Sequence, residues 1–288
     1  MRLHVVFATL NRAELLTKTV DRLADQIRQP DGIVISATCP ADVLGLETAR
    51  PDTHVLLSGK GLCKQRNRAL DYLAGNTDIV VFFDDDFVPH KDYLAEIERL
   101  FVLEPDVAGA TGDLLDDGIH GDEIAFEDAV ERLDSHGLAQ DDSWRSRQAL
   151  YGCNMAIRMS CAEGLQFDEA LPLYGWQEDI DYTYQLGQRG RMVSGPRLTG
   201  IHLGTRSART PGKRLGYSQV ANLVHMWRKG TMQPRLGQRL MLQNLTSNAA
   251  RSLFPEPHID RRGRLTGNLM AIGDLMRGRI DPRRVETL

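Results

Sequence analysis

Asp78-Ile-Val-Val-Phe-Phe-Asp-Asp-Asp-Phe87 is the stretch on which the fold turns. Its first half is a nearly unbroken apolar run, as expected of a strand covered on both faces. Three carboxylates follow at once: Asp84, Asp85 and Asp86. Like charges set this close repel one another unless a cation or hydrogen-bond donors compensate. In open α/β sheets, ligands bind beyond the carboxyl ends of the strands. A hard divalent ion held by one or two carboxylates and completed by substrate phosphates would relieve the repulsion. The structural alternative is an acidic turn capping a helix that starts near Asp92. One aspartate would suit that role; three in a row suit it badly.

Outward from this strand the first half of the chain alternates strand and helix. Leu3–Thr9, Gly32–Ala37, His54–Leu57 and Val107–Thr111 read as further strands. Arg12–Ile27, Gly61–Leu73 and Asp92–Leu103 have apolar residues at helical spacing. This succession predicts an α/β fold with a mostly parallel sheet and helices on both faces. Asp113–Gln148 reads as an acidic, irregular excursion with a short helix near Glu127–Leu133, and Leu150–Arg158 as a return to the sheet. A helix is predicted over Gln177–Arg189, and only helical patterns follow Gly212. The expected division is a catalytic domain over residues 1–205 and a helical extension over 206–288. Within the first, the nucleotide-binding half covers about 1–115 and the acceptor half about 116–205.

With 288 residues, 42% of them hydrophobic and 26% charged, the chain has the composition of a soluble globular protein. Four scattered cysteines without a CxxC pair argue against a zinc ribbon or a disulfide framework and fit a reducing compartment. The apolar run at Met1–Thr9 is too short for a signal peptide, and no run approaches the roughly 20 residues of a membrane span. The net charge of −4 conceals an asymmetry. Residues 189–288 hold 19 Lys and Arg against 5 Asp and Glu, while the remainder holds 16 against 34. The basic third either meets something anionic or attracts the acidic front. That acidic front argues against a nucleic-acid partner.

Two further motifs carry chemistry. Gly175–Tyr182 (GWQEDIDY) sets Glu178, Asp179 and Asp181 at a helix start. Acids there are favoured by the helix dipole alone; the functional reading makes one carboxylate a general base. Trp176 beside them offers a flat apolar face for a sugar ring. Gly59–Leu70 (GKGLCKQRNRAL) is a glycine-bearing turn into a helix with Lys64, Arg66 and Arg68. Helix N-termini and cationic side chains attract phosphate. The spacing is neither that of a Walker A loop nor that of a Rossmann GxGxxG turn.

Taken in order, these segments resemble glycosyltransferase family 2, whose members have the GT-A (nucleotide-diphospho-sugar transferase) fold. Ala8–Leu16 (ATLNRAELL) resembles the family's opening loop, and GLCKQRNRAL its arginine-bearing helix. FFDDDF resembles its DxD-type metal and nucleotide motif. Tyr151–Arg158 (YGCNMAIR) is similar to its acceptor-side strand, and Gly175–Gly190 to its ED segment. The matches run in family order over residues 3–205.

The resemblance implies an inverting, metal-dependent hexosyltransferase, using a nucleotide-sugar donor and a glycan or lipid-linked acceptor in cell-surface polysaccharide or glycolipid assembly. Thr9, Asn11 and Arg12 would line the nucleobase end of the donor pocket, with Lys64 and Arg66 toward its phosphates. Asp84 and Asp85 would contact the ribose or support the metal site, and Asp86 would coordinate Mg2+ or Mn2+. Asp179 would be the base, with Glu178 its neighbour or stand-in, and Asn154 and Trp176 would lie toward the acceptor. His202, in GIHLGTRSAR, stands where some GT-A enzymes place a third metal ligand; otherwise it is a half-buried strand histidine. Arg206, Arg209, Lys213 and Arg214 would belong to a lid over the diphosphate. One departure concerns the base: Ser36 stands about where the family carries an Asp that reads it, so UDP is the default and dTDP or GDP stay open.

The helices after residue 212 combine apolar stripes with Arg and Lys. They would pack on the catalytic domain, form a homo-oligomer, or lie on an anionic membrane surface. The expected location is cytoplasmic, peripheral on the inner face of the cytoplasmic membrane. Two competing readings are a sugar-nucleotide-forming nucleotidyltransferase and a non-catalytic glycan- or nucleotide-sugar-binding module. The first would carry a Gly-rich basic loop after the first strand, where ATLNRAE stands. The second would not need an acid at position 179.

Overall fold

The computed structural model describes residues 1–46, 52–119, 121–206, 210–254, 256 and 259–288. In chain order its elements are β1 (Leu3–Ala8), α1 (Ala13–Arg22), β2 (Gly32–Ala37), β3 (Thr53–Leu57), α2 (Leu62–Leu73), β4 (Ile79–Asp84), β5 (Phe87–Pro89), α3 (Tyr93–Leu103) and β6 (Val107–Asp117). Then follow α4 (Phe126–Ser135), β7 (Arg145–Ser146), β8 (Asn154–Arg158), α5 (Met159–Ala162), α6 (Glu178–Leu186), β9 (Arg191–His202), α7 (Gly212–Lys229), α8 (Pro234–Leu253) and α9 (Arg261–Met276). The chain divides into two compact units. One comprises Met1–Lys60, Lys64–Gln166 and Gln185–Ala208; the other comprises Gly61–Cys63, Phe167–Tyr184 and Arg209–Leu288.

The first unit holds the whole sheet, in the order β3-β2-β1-β4-β8-β6-β9-β5, with β7 paired to β9. The ladders joining β3, β2, β1 and β4 are parallel. The apolar runs explain this: Val5, Val6 and Phe7 of β1 and Val80, Val81 and Phe82 of β4 are buried whichever way they point. Beyond β4 the sheet becomes mixed. β8 runs antiparallel to both β4 and β6, β9 is parallel to β6, and β5 and β7 are antiparallel to β9. The parallel sheet expected from the first half therefore covers only that half.

β6 runs on to Asp117, into the stretch expected to be irregular, and β9 had no counterpart among the predicted strands. Gly195, Pro196 and Gly200 interrupt the β9 sequence, and register shifts punctuate the β6–β9 ladder. Such bulges disturb the two-residue alternation by which a strand is read. The topology has one consequence for function. Because β8 reverses the direction twice, β1, β2, β3, β4, β6 and β9 all end at the same edge of the sheet.

The second unit is helical. α7, α8 and α9 enclose Tyr217, Val220, Val224, Ala271 and Val285. α7 and α9 approach closely at two glycines. A Cβ on Gly216 would lie 2.0 Å from the Arg264 carbonyl oxygen, and one on Gly267 would lie 2.1 Å from that of Lys213. A buried amide chain ties the three helices: Asn248 donates to Gln219 (2.8 Å) and to Asn268 (2.9 Å), and Asn268 donates to the Gly216 carbonyl (2.7 Å). In the first turn of α6, Asp181 is fully buried and accepts from Lys229 (2.7 Å) and from the Thr231 hydroxyl. Lys229 and His225 both reach Asp168, at 2.9 and 2.8 Å. Among the described residues, no helix is long and apolar enough to cross a membrane.

Candidate active site

The common strand edge gathers the acidic triplet and separates its members. Asp84 closes β4, Asp85 and Asp86 form the turn, and β5 pairs at once with the end of β9, Phe87 facing His202. Asp117, the last residue of β6, faces His202 from the other side. His202 Nε2 thereby lies 3.2 Å from Asp86 Oδ1, and Nδ1 lies 3.0 Å from Asp117 Oδ1. Tyr151 donates its hydroxyl to Asp117 Oδ2 at 3.2 Å and sets its ring edge-on to the imidazole. Just past the strands Gly204 (φ +68) has to be a glycine: a Cβ there would lie 2.2 Å from the Gly118 carbonyl carbon.

Asp84, Asp86 and His202 each offer one ligand atom, and these atoms lie within 4.8 Å of one another. Ligands bound at about 2.1 Å to one ion stand roughly 3 to 4 Å apart, so the cluster fits a single divalent cation. The protein's own cations compensate the acids. Arg66, 2% exposed, donates to Asp84 Oδ1 at 3.1 Å and to the Gly152 carbonyl at 2.9 Å, and lies over the Phe82 ring. Arg12 donates to Asp85 Oδ1 at 2.8 Å and sits 3.5 Å from Asp86. Asp85 also accepts from the Thr9 hydroxyl at 2.9 Å.

The titration pattern follows from these contacts. Burial drives Asp85 up to about 7, Asp86 adding to the rise and Arg12 opposing it. Desolvation within the cluster also raises Asp84, although Arg66 opposes it. For Asp86 burial acts upward as well, but the His202 hydrogen bond and charge, Arg12 and the Thr205 amide more than reverse it, so its carboxyl stays low. Burial works to lower His202; its hydrogen bonds to Asp117 and Asp86 outweigh this and bring it up to about 10. Without a metal, His202 is an imidazolium bridging two carboxylates.

Several predicted residues are placed differently from the sequence reading. Asp84 joins Asp86 and His202, while Asp85 accepts from Thr9 and Arg12, the latter also reaching Asp86. Thr9, Arg12 and Arg66 thus hold the acids of the cluster itself. Ser36 is fully buried, its hydroxyl 3.5 Å from that of Ser58 and its carbonyl accepting from the Thr9 amide and the Gln65 side chain. The acid of this corner is Asp42, which the sequence reading passed over. It accepts from the Asn11, Thr38 and Cys39 amides and from the Thr38 hydroxyl, and these hold it below the usual carboxylate range against the upward push of burial. Asn11 itself is exposed, with φ +57. Lys64 is half-buried.

Asn154, read from the sequence as lying toward the acceptor, sits on β8. It is fully buried and accepts from Thr111 through its side chain and from the Tyr93 hydroxyl through its carbonyl, so it braces β8. Arg206, of the expected lid, pairs with Asp122 at 3.0 Å, and Arg214 donates to the Leu288 carbonyl. Arg209 lies outside the described residues. Beyond Asp117 a cleft of about 740 Å³ opens, lined by Asp116, Asp122, Glu123, Asp128 and Arg132 among others. Asp117 was missed because β6 was not followed past Thr111; Tyr151 lay in the acceptor-side motif, but its contact with Asp117 could not be read from the sequence.

In the second unit, Asp179 and Glu178 open α6. Glu178 is buried and Asp179 is half-buried. The preceding loop holds Leu173 (φ +59), Gly175 (φ +62) and Gln177 (φ +70). With Asn11, Leu173 and Gln177 are the non-glycine residues of positive φ among those described, and all three lie in or beside motif segments. Backbone strain of this kind concentrates at functional sites. Trp176 is half-buried beside Leu223, Met226 and Met232, and its carbonyl accepts from Asn222.

The fold is that of GT-A glycosyltransferases. The sequence profile of Glycosyl transferase family 2 matches residues 4–162, more than half of the chain, and the chain belongs to that family. Among solved structures it is similar to the TarS 1-349 fragment of S. aureus in complex with UDP-GlcNAc, at 16% identity over 100% of this chain and 84% of that one (TM-score 0.62). It is also similar to the mannosyltransferase PcManGT of Pyrobaculum calidifontis in complex with GDP-Man and Mn2+, at 16% identity over 96% and 75% (TM-score 0.54). A third is GalNAc-T7 with UDP, GalNAc and Mn2+, at 13% identity over 90% and 58% (TM-score 0.55). At these identities the likeness is one of fold. No curated protein matches the sequence.

Proposed function

We propose that this nucleotide-sugar glycosyltransferase moves a sugar, with inversion, from a nucleotide-diphosphate donor to a hydroxyl of a glycan or lipid-linked saccharide. The observation that carries the reading is the convergence of Asp84, Asp86 and His202 at one strand edge. Two carboxylates and an imidazole suit Mn2+ at least as well as Mg2+, because Mg2+ prefers oxygen donors and keeps its waters. When bound, such an ion supplies Lewis-acid stabilisation of the leaving diphosphate.

The remaining work falls to side chains of the chain. Arg12 and Arg66 fix the carboxylates in place, so the cluster needs little reorganisation to receive a cation. Asp117 holds His202 by Nδ1 and leaves Nε2 directed at the cluster. Asp179 would take the proton of the acceptor hydroxyl. Of the two acids that open α6 it is the more accessible, and its Oδ1 is already oriented by the Ile180 amide at 2.9 Å. A UDP-sugar is the favoured donor. UDP-GlcNAc is the ligand in the TarS complex and GDP-Man that in the PcManGT complex. Assembly of cell-surface polysaccharide or glycolipid on the cytoplasmic side is the setting that fits a lipid-linked acceptor.

The test is donor turnover and binding by the purified protein. Thermal-shift screening of nucleoside diphosphates with and without Mn2+ should give a shift that requires the metal. Asp179→Asn should abolish transfer while leaving donor binding intact. Unchanged turnover in that variant would refute the base assignment, and no shift with any nucleotide would refute the donor site.

A further inference from the structure

α8 is apolar on two sides. One side packs Leu236, Leu240, Met241 and Leu245 into the second unit. The other side is exposed. At 100° per residue, Arg235, Arg239, Leu242, Thr246, Ala249 and Leu253 fall within an arc of roughly 80°, and all six are exposed. Leu242 is 64% exposed and Leu253 73%, and Phe254, at the helix end, is 83% exposed. α8 contains no acidic residue at all. The neighbouring helix α9 repeats the pattern: Leu269 (60%) and Met276 (84%) are exposed, and its only acid, Asp274, is buried. Leu253 and Phe254 are adjacent and both exposed, and contiguous exposed apolar groups point to an interaction surface, whereas single ones do not.

We propose that the outer face of α8 and its Phe254 end dock on an anionic lipid surface. Two features select this occupant. Residues 210–288 hold 14 Lys and Arg against 5 Asp and Glu. A second copy would add two more arginines and no α8 acid to the seam, which disfavours it. A soluble polyanion would satisfy the arginines but leave Leu242, Leu253 and Phe254 in water. A membrane interface satisfies both, taking the apolar side chains below the headgroups and holding the guanidinium groups at the phosphates. The surface lies wholly in the second unit and does not depend on which sugar is transferred.

The experiment is flotation of the full-length protein with vesicles of phosphatidylcholine alone and of phosphatidylcholine with phosphatidylglycerol, at low and at physiological salt. The protein should rise with the anionic vesicles and not with the neutral ones. R235Q/R239Q should weaken binding about fivefold for each charge removed. L253S/F254S should weaken it at least about tenfold even at low salt. Both pairs are exposed, and unchanged melting temperatures would verify that the variants fold. Absence of flotation with anionic vesicles would overturn the proposal. So would equal flotation of the wild type and both variants. A dimer seen by sedimentation and dissolved by L253S/F254S, without vesicle binding, would assign the face to a second copy instead. Binding to anionic vesicles undiminished in L253S/F254S and fully displaced by a soluble polyphosphate would assign it to a polyanion.

Discussion

His202 and Asp86 come from distant parts of the chain, and the pairing of β5 with β9 brings Nε2 of the first to 3.2 Å from Oδ1 of the second. On its other nitrogen His202 is held by Asp117. A carboxylate, an imidazole and a cation site in line is the arrangement by which proteins fix the tautomer of a histidine ligand. Asp117→Ala should therefore weaken Mn2+ binding roughly 10- to 100-fold, whereas Asp86→Ala should abolish it. Electron paramagnetic resonance of free Mn2+ in a titration reads both. Equal affinity of Asp117→Ala and wild type would remove Asp117 from the site.

The raised pKa of His202 has a sign that can be measured. Its folded value, about 10, stands above the ordinary imidazole value of 6.5. The metal-free protein therefore binds more protons folded than unfolded between these values. The stability it gains is complete below about pH 6.5 and is lost as pH rises toward 10. Coordination requires the neutral imidazole, so apparent Mn2+ affinity should rise over the same interval. Chemical denaturation and metal titration at pH 6, 7.5 and 9 should show opposite trends, both flattened in His202→Gln.

Lys229 balances the fully buried Asp181 and also reaches Asp168. Removing one partner of a buried ion pair is costly because the other stays buried and charged. Because Lys229 itself is partly exposed and Thr231 still donates to Asp181, Lys229→Met should destabilise the protein by about 2 kcal/mol. Asp168, held well below its usual range chiefly by the His225 hydrogen bond, with Lys229 and the Ala170 amide adding to it against the push of burial, contributes stability above the unfolded carboxylate pKa. That contribution should disappear on acidification below about pH 4, seen as a shallower acid limb in Asp168→Asn.

Gly204 adopts φ +68 with the Gly118 backbone against its α-carbon. Gly204→Ala adds strain and a backbone clash immediately after His202, so β6 and β9 have to part. Loss of Mn2+ affinity together with a lower melting temperature is the expected result, and an unchanged Mn2+ titration would count against so tight a fit.

The strands of the first half were legible because both faces of each are buried, and uninterrupted apolar runs such as Val5–Phe7 and Ile79–Phe83 leave little choice. The acidic triplet was legible as a site because three adjacent carboxylates need compensation from somewhere. The motif order was enough to place the chain in its family. β9 was not legible, since glycines and a proline interrupt it and its ladder is bulged. Asp117 was hidden with it, because a residue at the end of an unrecognised pairing has no visible partner.

By itself, then, the sequence determined that acids end a buried strand of an α/β fold, since this depends only on local hydrophobic pattern and charge; the order of its motifs added the glycosyltransferase family. Which acid does what was decided by tertiary structure. Adjacent residues in a turn point in different directions, so Asp84 and Asp86 meet His202 while Asp85 turns to Thr9 and Arg12. The register of β5, β6 and β9 sets those directions, and register is a property of strands that meet only when the chain has folded.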